Sequence, residues 1–445
     1  MLNNEAMKRI ILICVAITVI TAPSAFSQAG HIMQGVGSVN MSMGGAATAQ
    51  PLDISGALQW NPATISAFGD NAVKLDLGLF FSAPELSSSV PEFGADGQPT
   101  GNVFSGITKD DRGTSMMPAI SAIWARENSP HTFGLSAFGI SGFGVTFPEN
   151  MSNPINMPQE FGGFGHIESD YMLLQTAFSY AVEINKLLSL GIQPTFNVAQ
   201  LELAPNPTAN PTQAGYPITN RATATGFGAQ FGLFLQTESG LKAGVSYKTT
   251  QHFSDFEFEN TYLDNTTSGN SFNMDYPAIA SVGLGYSQDL FDVALDYRHV
   301  NYENTDGFSE SGWTQTASVA GFGWKNISII SAGLQYKGVK YLPIRAGYTY
   351  STNPIGREEV FFNIPATAVI KNAFQFGFSY ERSDVFTFNM VYHHGASSGS
   401  TSGQVLNPNF ISESSAYGAI PGSAISYEMT TDMVMAGFTY HFTRK

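Results

Sequence analysis

The chain has 445 residues, of which 43% are hydrophobic, 13% aromatic and only 12% charged, and its formal net charge is -15. Soluble domains average about 25% charged residues, and an acidic chain repels phosphate backbones. An ordinary soluble domain and a nucleic-acid-binding protein are therefore both excluded. A helical membrane protein needs spans of about 20 apolar residues, and the sequence has none beyond its N-terminus. With 45 Gly and 34 Phe, the composition favours a large all-β protein.

The N-terminus is predicted to be a secretory signal peptide over residues 1–27. A basic pair at residues 8–9 precedes an apolar stretch over residues 10–20, and residues 25–27 (Ala-Phe-Ser) form a small-x-small cleavage site. The only cysteine, Cys14, lies in the apolar stretch and is expected to leave with it. The mature chain would then have no disulfide framework and no thiolate metal site.

Residues 28–70 show no strand periodicity and are rich in Gly, Ala and Ser. Two interpretations compete, a flexible periplasmic tail and a compact plug. Apart from Asp53 and Asp70 the segment has no acidic or basic residue except His31, and so little charge is not typical of a disordered tail. The composition therefore favours the compact plug.

From residue 71 onwards, stretches of about ten residues alternate apolar with polar or small residues, the period-2 pattern of strands with one apolar face. The first stretch places Leu75, Leu77 and Leu79 on one face, and Lys74 and Asp76 on the other. Roughly fourteen such stretches follow one another. The pattern predicts an antiparallel β-structure in which each strand has one apolar face.

The connections between these stretches alternate strictly between long and short; residues 127–130, for example, form a short link and residues 84–114 a long one. Outer-membrane barrels have this alternation of short periplasmic turns and long extracellular loops. We therefore predict a transmembrane antiparallel up-and-down barrel of about 14 strands over residues 71–442. It would lie in the outer membrane of a Gram-negative bacterium, with both termini in the periplasm. A barrel of this size encloses more space than its own side chains fill, which favours residues 28–70 as a plug in the lumen.

Several stretches resemble one family of outer-membrane proteins. Residues 35–38 (GVGS), 43–47 (MGGAA) and 61–63 (NPA) are similar to the N-terminal hatch of the long-chain fatty-acid transporters of the FadL family. Residues 240–247 and 344–350 are similar to its later strands. That family also contains channels for toluene and other hydrophobic compounds. The resemblance spans nearly the whole mature chain.

The resemblance implies a barrel closed by an N-terminal hatch, through which hydrophobic compounds pass without energy input and without a cofactor. Long-chain fatty acids are the expected ligands, and aromatic hydrocarbons are the alternative on the same fold. In the family, ligand is captured among the extracellular loops and leaves sideways into outer-membrane lipid where the third strand kinks. Phe442 resembles the signal read by the barrel-assembly machinery, followed by an overhang at residues 443–445. A monomer is expected.

One candidate for the passage is the turn Asn61-Pro62-Ala63. Proline fixes its own φ and restricts the residue before it, so the turn is rigid. By resemblance it belongs to the hatch next to the exit. The alternative is an ordinary turn before the first strand.

Three glycines of the predicted third strand, Gly139, Gly142 and Gly144, are assigned to the lateral opening. Glycine within a strand often marks a bulge, a bend or a close backbone approach. The alternative is that these glycines relieve crowding inside the barrel.

Three cations, Arg298, Arg345 and Lys242, fall on the lumen-facing register of their strands. A cation in an otherwise apolar pocket would bind a carboxylate ligand through charge-assisted hydrogen bonds, so all three are candidate ligand-binding residues. The alternative is that they pair with neighbouring Asp or Glu side chains.

The long loop over residues 147–166 offers Met151, Met157, Phe161 and Phe164 for capture at the surface. Methionine adapts to varied apolar shapes, although such a loop can also pack on itself. The loop over residues 201–221 is Pro-rich rather than helical. That departs from the family pattern and leaves the ligand class open.

An enzyme is not expected. Residues 395–399 match G-x-S-x-G beside His393 and His394, but a nucleophile elbow needs a strand-to-helix turn, and this match opens a Gly/Ser-rich tract. Two adjacent histidines without a third ligand are a weak metal signal, so we predict no catalytic residue and no metal. A polar diffusion pore, for which a plug is counterproductive, and a surface adhesin or receptor are the other functional classes.

Overall fold

A computed structural model describes residues 30–94, 99–125 and 129–442. The predicted signal peptide, the first two residues of the predicted plug and the C-terminal overhang lie outside these ranges. The described helices are α1 (Ser38–Ser42), α2 (Ile54–Trp60) and the 3-10 helices Pro62–Ala67, Gln159–Phe161, Tyr302–Asn304, Phe361–Asn363 and Pro408–Phe410. The described strands are β1 (Ala72–Phe93), β2 (Pro99–Lys109), β3 (Thr114–Ala125), β4 (His131–Phe147), β5 (Ile167–Glu183), β6 (Leu188–Ala204), β7 (Ile218–Thr219), β8 (Ala222–Gln236), β9 (Leu241–Lys248), β10 (His252–Phe253), β11 (Phe256–Thr261), β12 (Thr267–Phe272), β13 (Ala278–Ser287), β14 (Phe291–Asn301), β15 (Ile327–Tyr336), β16 (Ile344–Ser351), β17 (Asn372–Tyr380), β18 (Phe386–Ala396), β19 (Thr401–Gly403) and β20 (Ala424–His441).

Fourteen of these strands form a closed antiparallel barrel, which confirms the fold predicted from the sequence. Each barrel strand pairs with the next along the chain, and β1 pairs with β20 from Ala72↔His441 to Ser89↔Ala424, which closes the sheet. The other described strands, β2, β7, β10, β11, β12 and β19, lie in the connections between barrel strands. Of these, β7, β11 and β12 form a separate three-stranded sheet. The barrel strands are β1, β3, β4, β5, β6, β8, β9, β13, β14, β15, β16, β17, β18 and β20.

Side-chain burial alternates along the barrel strands. In β1 the side chains of Leu75, Leu77 and Leu79 are 51%, 49% and 40% exposed, whereas Lys74 and Asp76 are buried. A barrel in a bilayer needs an apolar outer face, because hydrocarbon cannot satisfy polar groups. The mean hydropathy of -0.02 therefore results from two faces that cancel.

The first connection differs from the sequence prediction. The pattern predicts a long loop over residues 84–114, whereas β1 continues to Phe93 and pairs with β2 in a hairpin. Residues 85–92 contain few apolar side chains, so they lack the period-2 signal of a lipid-facing strand. A hairpin beyond the hydrocarbon needs no such face, which is why the sequence pattern missed it.

Residues 30–70 form a compact plug in the lumen, called the hatch below, in which nearly every residue as far as Ser66 is buried. Helix α2 is capped by Asp53, whose carboxylate accepts a hydrogen bond from Gly56 N at 3.0 Å. Such a cap satisfies a free N–H at the start of a helix, so this short helix is stable inside the barrel. No helix in the described ranges is both long and apolar enough to cross a membrane.

Buried charges attach the hatch to the wall. Lys74 Nζ of β1 lies 2.6 Å from Asp53 Oδ2 of the hatch and 3.1 Å from Asp76 Oδ2 of its own strand. Asp76 Oδ1 also accepts hydrogen bonds from Ser38 N at 2.9 Å and Ser38 Oγ at 2.5 Å. Buried charges persist when they are paired and hydrogen-bonded, so this cluster fixes the hatch against β1.

Candidate functional site

The barrel wall has a gap between β3 and β4, the second and third barrel strands, which we call the window. The two strands pair from Ala125↔Thr132 to Ala119↔Phe138. Above this point residues 114–118 of β3 pair with β1, while residues 139–147 of β4 pair with β5. The ladder between β4 and β5 shifts register between Gly139 and Ser141. A bulge of this kind bends a strand, here at the lower end of the window.

The upper end of the window is closed by the turn between β2 and β3. Asp110 Oδ1 accepts a hydrogen bond from Thr146 N at 2.5 Å. Arg112 Nη1 donates to Ser169 O at 2.6 Å, and Nη2 of the same side chain pairs with the Asp170 carboxylate. Asp111 N also donates to Thr146 O at 2.8 Å. The window is therefore a bounded opening, with strand pairing below it and both backbone and side-chain bonds above it.

A cavity of about 390 Å³ lies at the window and is called the window cavity below. An apolar cavity of about 150 Å³ is enough to bind benzene, so a small hydrophobic molecule fits. Its apolar lining includes Phe80, Met116, Met117, Phe143, Tyr171, Met172, Ala368 and Met429. Its charged lining consists of Arg112, Glu168 and Asp170.

The first described residues of the hatch reach into the bend of β4. Met33 N donates to Ile140 O at 3.0 Å, and Gly142 N donates to His31 O at 3.2 Å. Ser141 Oγ also donates to His31 O, at 2.9 Å. Backbone groups of β4 beyond the end of its pairing with β3 thus find partners in the hatch, so the hatch and the edge of the window are directly connected.

The side chain of His31 lies in a cage of aromatic rings. Its ring stacks on Phe308 with centroids 4.8 Å apart, and its Nδ1 lies 2.9 Å from Tyr302 Oη. Burial lowers the pKa of His31 to about 3, and Nε2 has no hydrogen-bond partner among the described residues. An unpartnered buried polar group costs about 1–3 kcal/mol, which offsets part of the stabilisation that the ring contacts and the Tyr302 hydrogen bond provide. The other rings of the cage are Tyr171, Tyr276 and Trp324.

A second cavity, of about 50 Å³, lies among the long loops and is called the loop cavity below. Burial raises the pKa of Tyr216 to about 12, and the hydroxyl of Tyr216 donates to Ala317 O at 2.5 Å, so its polar end is satisfied. No described residue that lines this cavity is charged. The lining residues are Phe164, Ile167, Pro205, Pro207, Tyr216, Trp313, Val319, Phe361, Phe362, Ile364 and Pro365.

The two cavities are adjacent and share parts of their walls. Residues 364–365 line the loop cavity, and residues 367–368 line the window cavity. In the same way Ile167 lines the first and its neighbour Glu168 the second. A single thickness of chain therefore separates the cavity on the loop side from the cavity at the window.

Of the four capture candidates in the loop over residues 147–166, Phe164 lines the loop cavity. Met151 and Phe161 are exposed and Met157 is half-buried. These three side chains line neither cavity. Their part in capture stays a prediction.

Arg298, predicted as a ligand-binding candidate, contacts the hatch. Its Nη2 lies 2.6 Å from Asp296 Oδ2 and donates to Gly45 O at 2.6 Å. The guanidinium carbon lies 3.7 Å from the centre of the Trp60 ring, a cation–π contact. Both terminal nitrogens thus have partners, since Nη1 donates to Ser331 Oγ at 3.2 Å, whereas Nε has none among the described residues. Arg298 lines neither cavity.

The two other predicted cations also lie in the lumen and line neither cavity. Arg345 Nε donates to Ser42 Oγ of the hatch at 2.7 Å, and Nη1 donates to Gln335 Oε1 at 2.7 Å. Lys242 Nζ donates to Ser287 Oγ at 3.0 Å. For all three cations, contact with ligand stays a prediction, while their observed partners belong to the hatch and the wall.

The predicted turn Asn61-Pro62-Ala63 lies in the hatch against β6 and β8. Asn61 Nδ2 donates to Thr48 O at 2.8 Å and to Leu233 O at 3.0 Å. A Cβ atom at Gly191 of β6 would lie 2.3 Å from Ala63 N, so only glycine lets the turn approach this closely. The window is edged by β3 and β4, and a role of the turn in ligand exit stays a prediction.

The three predicted glycines all border the window. Gly142 and Gly144 line the window cavity, and Gly139 lies where the register shifts at the lower end. A Cβ at Gly144 would lie 1.6 Å from Arg112 Nη1, whereas a Cβ at Gly139 would have Pro118 O, at 3.9 Å, as its nearest neighbour. The close approach of Arg112 therefore requires glycine at position 144, whereas position 139 has room for a side chain. That ligand passes here stays a prediction.

Sequence reasoning missed several residues of this region. Arg112 stands in the run Asp110-Asp111-Arg112, which looks like a solvated loop segment. His31 precedes an apolar stretch and carries no motif. Trp313 and Phe361 lie almost fifty residues apart in loops whose contact no local pattern indicates. Only an aromatic residue in a long outer loop, a weak signal, could have suggested the last two.

The chain belongs to the family of outer membrane protein transport proteins described as OMPP1/FadL/TodX, whose model matches residues 14–443. This is a family of outer-membrane channels for hydrophobic compounds, which confirms the resemblance seen in the sequence. It is a family of transporters rather than enzymes. No curated protein matches the chain by sequence.

Solved structures share the fold at low sequence identity. The toluene transporter TodX of P. putida is 17% identical, with a TM-score of 0.66 over 93% of this chain and 100% of that one. A FadL homologue of Pseudomonas aeruginosa is 13% identical, with a TM-score of 0.71 over the same shares. The toluene transporter TbuX of Ralstonia pickettii is 16% identical, with a TM-score of 0.64 over 92% of this chain and 99% of that one.

Proposed function

We propose that the protein is a passive channel for uncharged hydrophobic compounds, which enter at the loop cavity and leave through the window into the outer membrane. The observation that carries this proposal is the window cavity of about 390 Å³ at a gap in the wall. A hydrophobic molecule gains about 0.8 kcal/mol for each methylene that it buries in an apolar site. A sideways exit spares it from crossing water, so the protein needs no energy source.

The apolar lining of the loop cavity supports its assignment as a capture site. Its volume of about 50 Å³ is below the roughly 150 Å³ that holds benzene, so ligand must part the loops to enter. Its aromatic walls, including Trp313 and Phe361, offer a large apolar contact area to a ligand that enters. Capture is then driven by burial alone, because no lining residue described here is charged.

The charges at the window favour uncharged ligands over carboxylates. Arg112 is the only cation among the described residues that line either cavity. It pairs with Asp170, and Glu168 adds a second carboxylate to the same lining. A fatty-acid carboxylate would meet net negative charge there. We therefore place aromatic hydrocarbons ahead of long-chain fatty acids, the ligands that the family resemblance put first.

The proposed direction of transport requires the loop cavity to face the outside of the cell. The chain enters β1 at Ala72 and leaves β20 at His441, and these two residues pair with each other at one end of the barrel. The loops that form the loop cavity lie at the opposite ends of the strands. We therefore place both termini in the periplasm.

The test is uptake of labelled toluene and labelled oleate by a host strain that lacks its own channels of this kind, with and without the protein. We expect toluene uptake to rise with the protein and oleate uptake to rise less or not at all. Unchanged uptake of both compounds, with increased leakage of a polar sugar, would show a polar pore instead. Higher uptake of oleate than of toluene would overturn the proposed ligand class.

A further inference from the structure

We propose that Arg112 determines the size of the molecules that can leave through the window, an inference that rests on the proposed function. Arg112 lies in the turn between β2 and β3, and its side chain is 18% exposed. It lines the window cavity. The residue acts as a strap across the upper end of the window.

The strap is held at both ends. Its own backbone N donates to Asp110 Oδ2 at 3.2 Å, and Asp110 Oδ1 accepts from Thr146 N of β4. At the far end the guanidinium donates to Ser169 O at 2.6 Å and pairs with the Asp170 carboxylate of β5. Charge-assisted hydrogen bonds of this kind are about twice as strong as neutral ones. A neutral hydrocarbon offers nothing to replace them, so it cannot displace the strap.

The strap crosses β4 at Gly144. A Cβ atom there would lie 1.6 Å from Arg112 Nη1 and 2.2 Å from its Cζ. The guanidinium therefore rests directly on the backbone of β4. Asp170 alternates with the buried residues Ser169 and Tyr171, so the ion pair lies on the outward register of β5, at the mouth of the window.

The strap sets one of the two ends of the window. The lower end is a rung of strand pairing, Ala119↔Phe138, which a passing molecule cannot open without breaking the sheet. The upper end combines a backbone hydrogen bond from Asp111 N to Thr146 O, at 2.8 Å, with side-chain contacts, and Arg112 is the side chain that spans from the β3 edge to β5 below that bond. Shortening that side chain lengthens the opening and leaves the barrel ladder intact, so larger molecules should pass.

The chain offers a matched control in Arg221. Its Nη2 pairs with the same carboxylate, lying 2.7 Å from Asp170 Oδ2, and its Nε lies 2.9 Å from Glu202 Oε2. Arg221 does not line the window cavity. Removing it weakens the same ion-pair group and changes the charge by the same amount, without lengthening the window.

The experiment compares uptake of labelled toluene and labelled phenanthrene by cells that carry the wild type, Arg112→Ala, Gly144→Ala or Arg221→Ala. Gly144→Ala displaces the Arg112 side chain by steric clash and keeps its charge, although the added Cβ would also lie 2.6 Å from Ser169 O of β5. We expect Arg112→Ala and Gly144→Ala to raise the ratio of phenanthrene to toluene uptake by roughly tenfold, the discrimination that one or two methylenes carry at a tight apolar site. Arg221→Ala should keep the wild-type ratio. Heat-modifiable migration on gels verifies that each variant is a folded barrel.

An unchanged ratio in Arg112→Ala barrels that are folded overturns the inference. An equal rise in Arg221→Ala also overturns it, because the effect would then come from a weaker ion-pair group rather than from a longer window. A wild type that raises uptake of neither compound is a different result. In that case the proposed function itself fails, and the strap with it.

Discussion

The loop cavity and the window cavity differ in size and in chemistry, although a single thickness of chain separates them. The loop cavity is small, about 50 Å³, and its described lining is wholly uncharged and largely aromatic. The window cavity is larger, about 390 Å³, and combines methionines with the charged groups of Arg112, Glu168 and Asp170. Rigid aromatic walls favour binding of an apolar molecule. Flexible methionines fit varied shapes, which suits the exit route that we propose.

The comparison indicates two separate tasks. Under the proposed function, we expect the free energy of apolar burial at the loop cavity to determine how much ligand is held at low concentration. We expect the edges of the window to determine how fast ligand leaves and what size of molecule can leave. Substitutions in the first region should therefore change the concentration dependence of uptake, and substitutions in the second should change its maximal rate.

The largest effect is expected when the window is filled. A side chain at Gly139 would extend towards Pro118 and Met117 on the opposite edge, because a Cβ there has only Pro118 O and Met117 Sδ within about 4 Å. Gly139→Trp should lower the maximal rate of toluene uptake to near the background of the host. Ala280→Trp, on the exposed face of β13 away from the window, is the control and should transport normally. Full transport by folded Gly139→Trp would contradict the lateral route.

A smaller effect is expected in the loop cavity. Phe361 lines it, and Phe361→Ala removes most of one aromatic wall. The concentration for half-maximal uptake should rise about tenfold, which corresponds to roughly 1.4 kcal/mol of lost binding, while the maximal rate stays the same. Phe410→Ala, an exposed loop phenylalanine that does not line the cavity, should have no effect. A change in maximal rate alone would remove the distinction between the two cavities.

The end of the hatch that contacts the edge of the window should respond to pH. Burial lowers the pKa of His31 to about 3 from its ordinary value of 6.5, so the released imidazole binds a proton that the buried one does not. Above pH 6.5 the ratio of buried to released imidazole is constant and at its highest. Below pH 6.5 this ratio falls by up to about tenfold for each pH unit. We expect toluene uptake per barrel to rise between pH 7 and pH 5. In His31→Phe, which cannot titrate, the same measurement should give a flat profile; a rise equal to that of the wild type would assign the effect to another group.

The smallest effect is expected from a change of shape without a change of volume in the window. Met117 lines the window cavity, and Met117→Leu preserves its apolar volume. Such swaps cost little in packed sites, so toluene uptake should stay within about twofold of the wild type. A severe loss of uptake would indicate that the methionine itself, rather than the size of the opening, governs passage.

Much of the fold was predictable because its signals are local. The alternation of Leu75, Leu77 and Leu79 with Lys74 and Asp76 predicts which face of β1 contacts lipid, and burial in the structure follows it. The small-residue segment before β1 predicts a plug because a barrel of this size must be filled. The hairpin of β1 and β2 was missed, since strands outside the hydrocarbon carry no such alternation.

The candidate site was predictable only in part. Gly142 and Gly144 mark the window because glycine is needed wherever another group approaches the backbone closely. The strand register predicts ligand contact for Arg298 and Arg345, and this stays a prediction; their guanidinium groups have partners in the hatch that the register does not indicate. A lumen-facing position is all that the strand period shows. The partner across the lumen depends on how the plug folds.

The sequence by itself determined the class of structure: a period of two repeated about fourteen times, with alternating loop lengths, leaves only a closed barrel as a way to satisfy the backbone in a bilayer. Only the tertiary structure decided where that barrel is open and what borders the opening. The loop cavity joins Phe164, Trp313 and Phe361 from three separate loops, and the strap joins Arg112 to Asp170 across β4. Periodicity constrains each strand on its own, whereas contacts between distant segments depend on the register and the packing of the whole barrel.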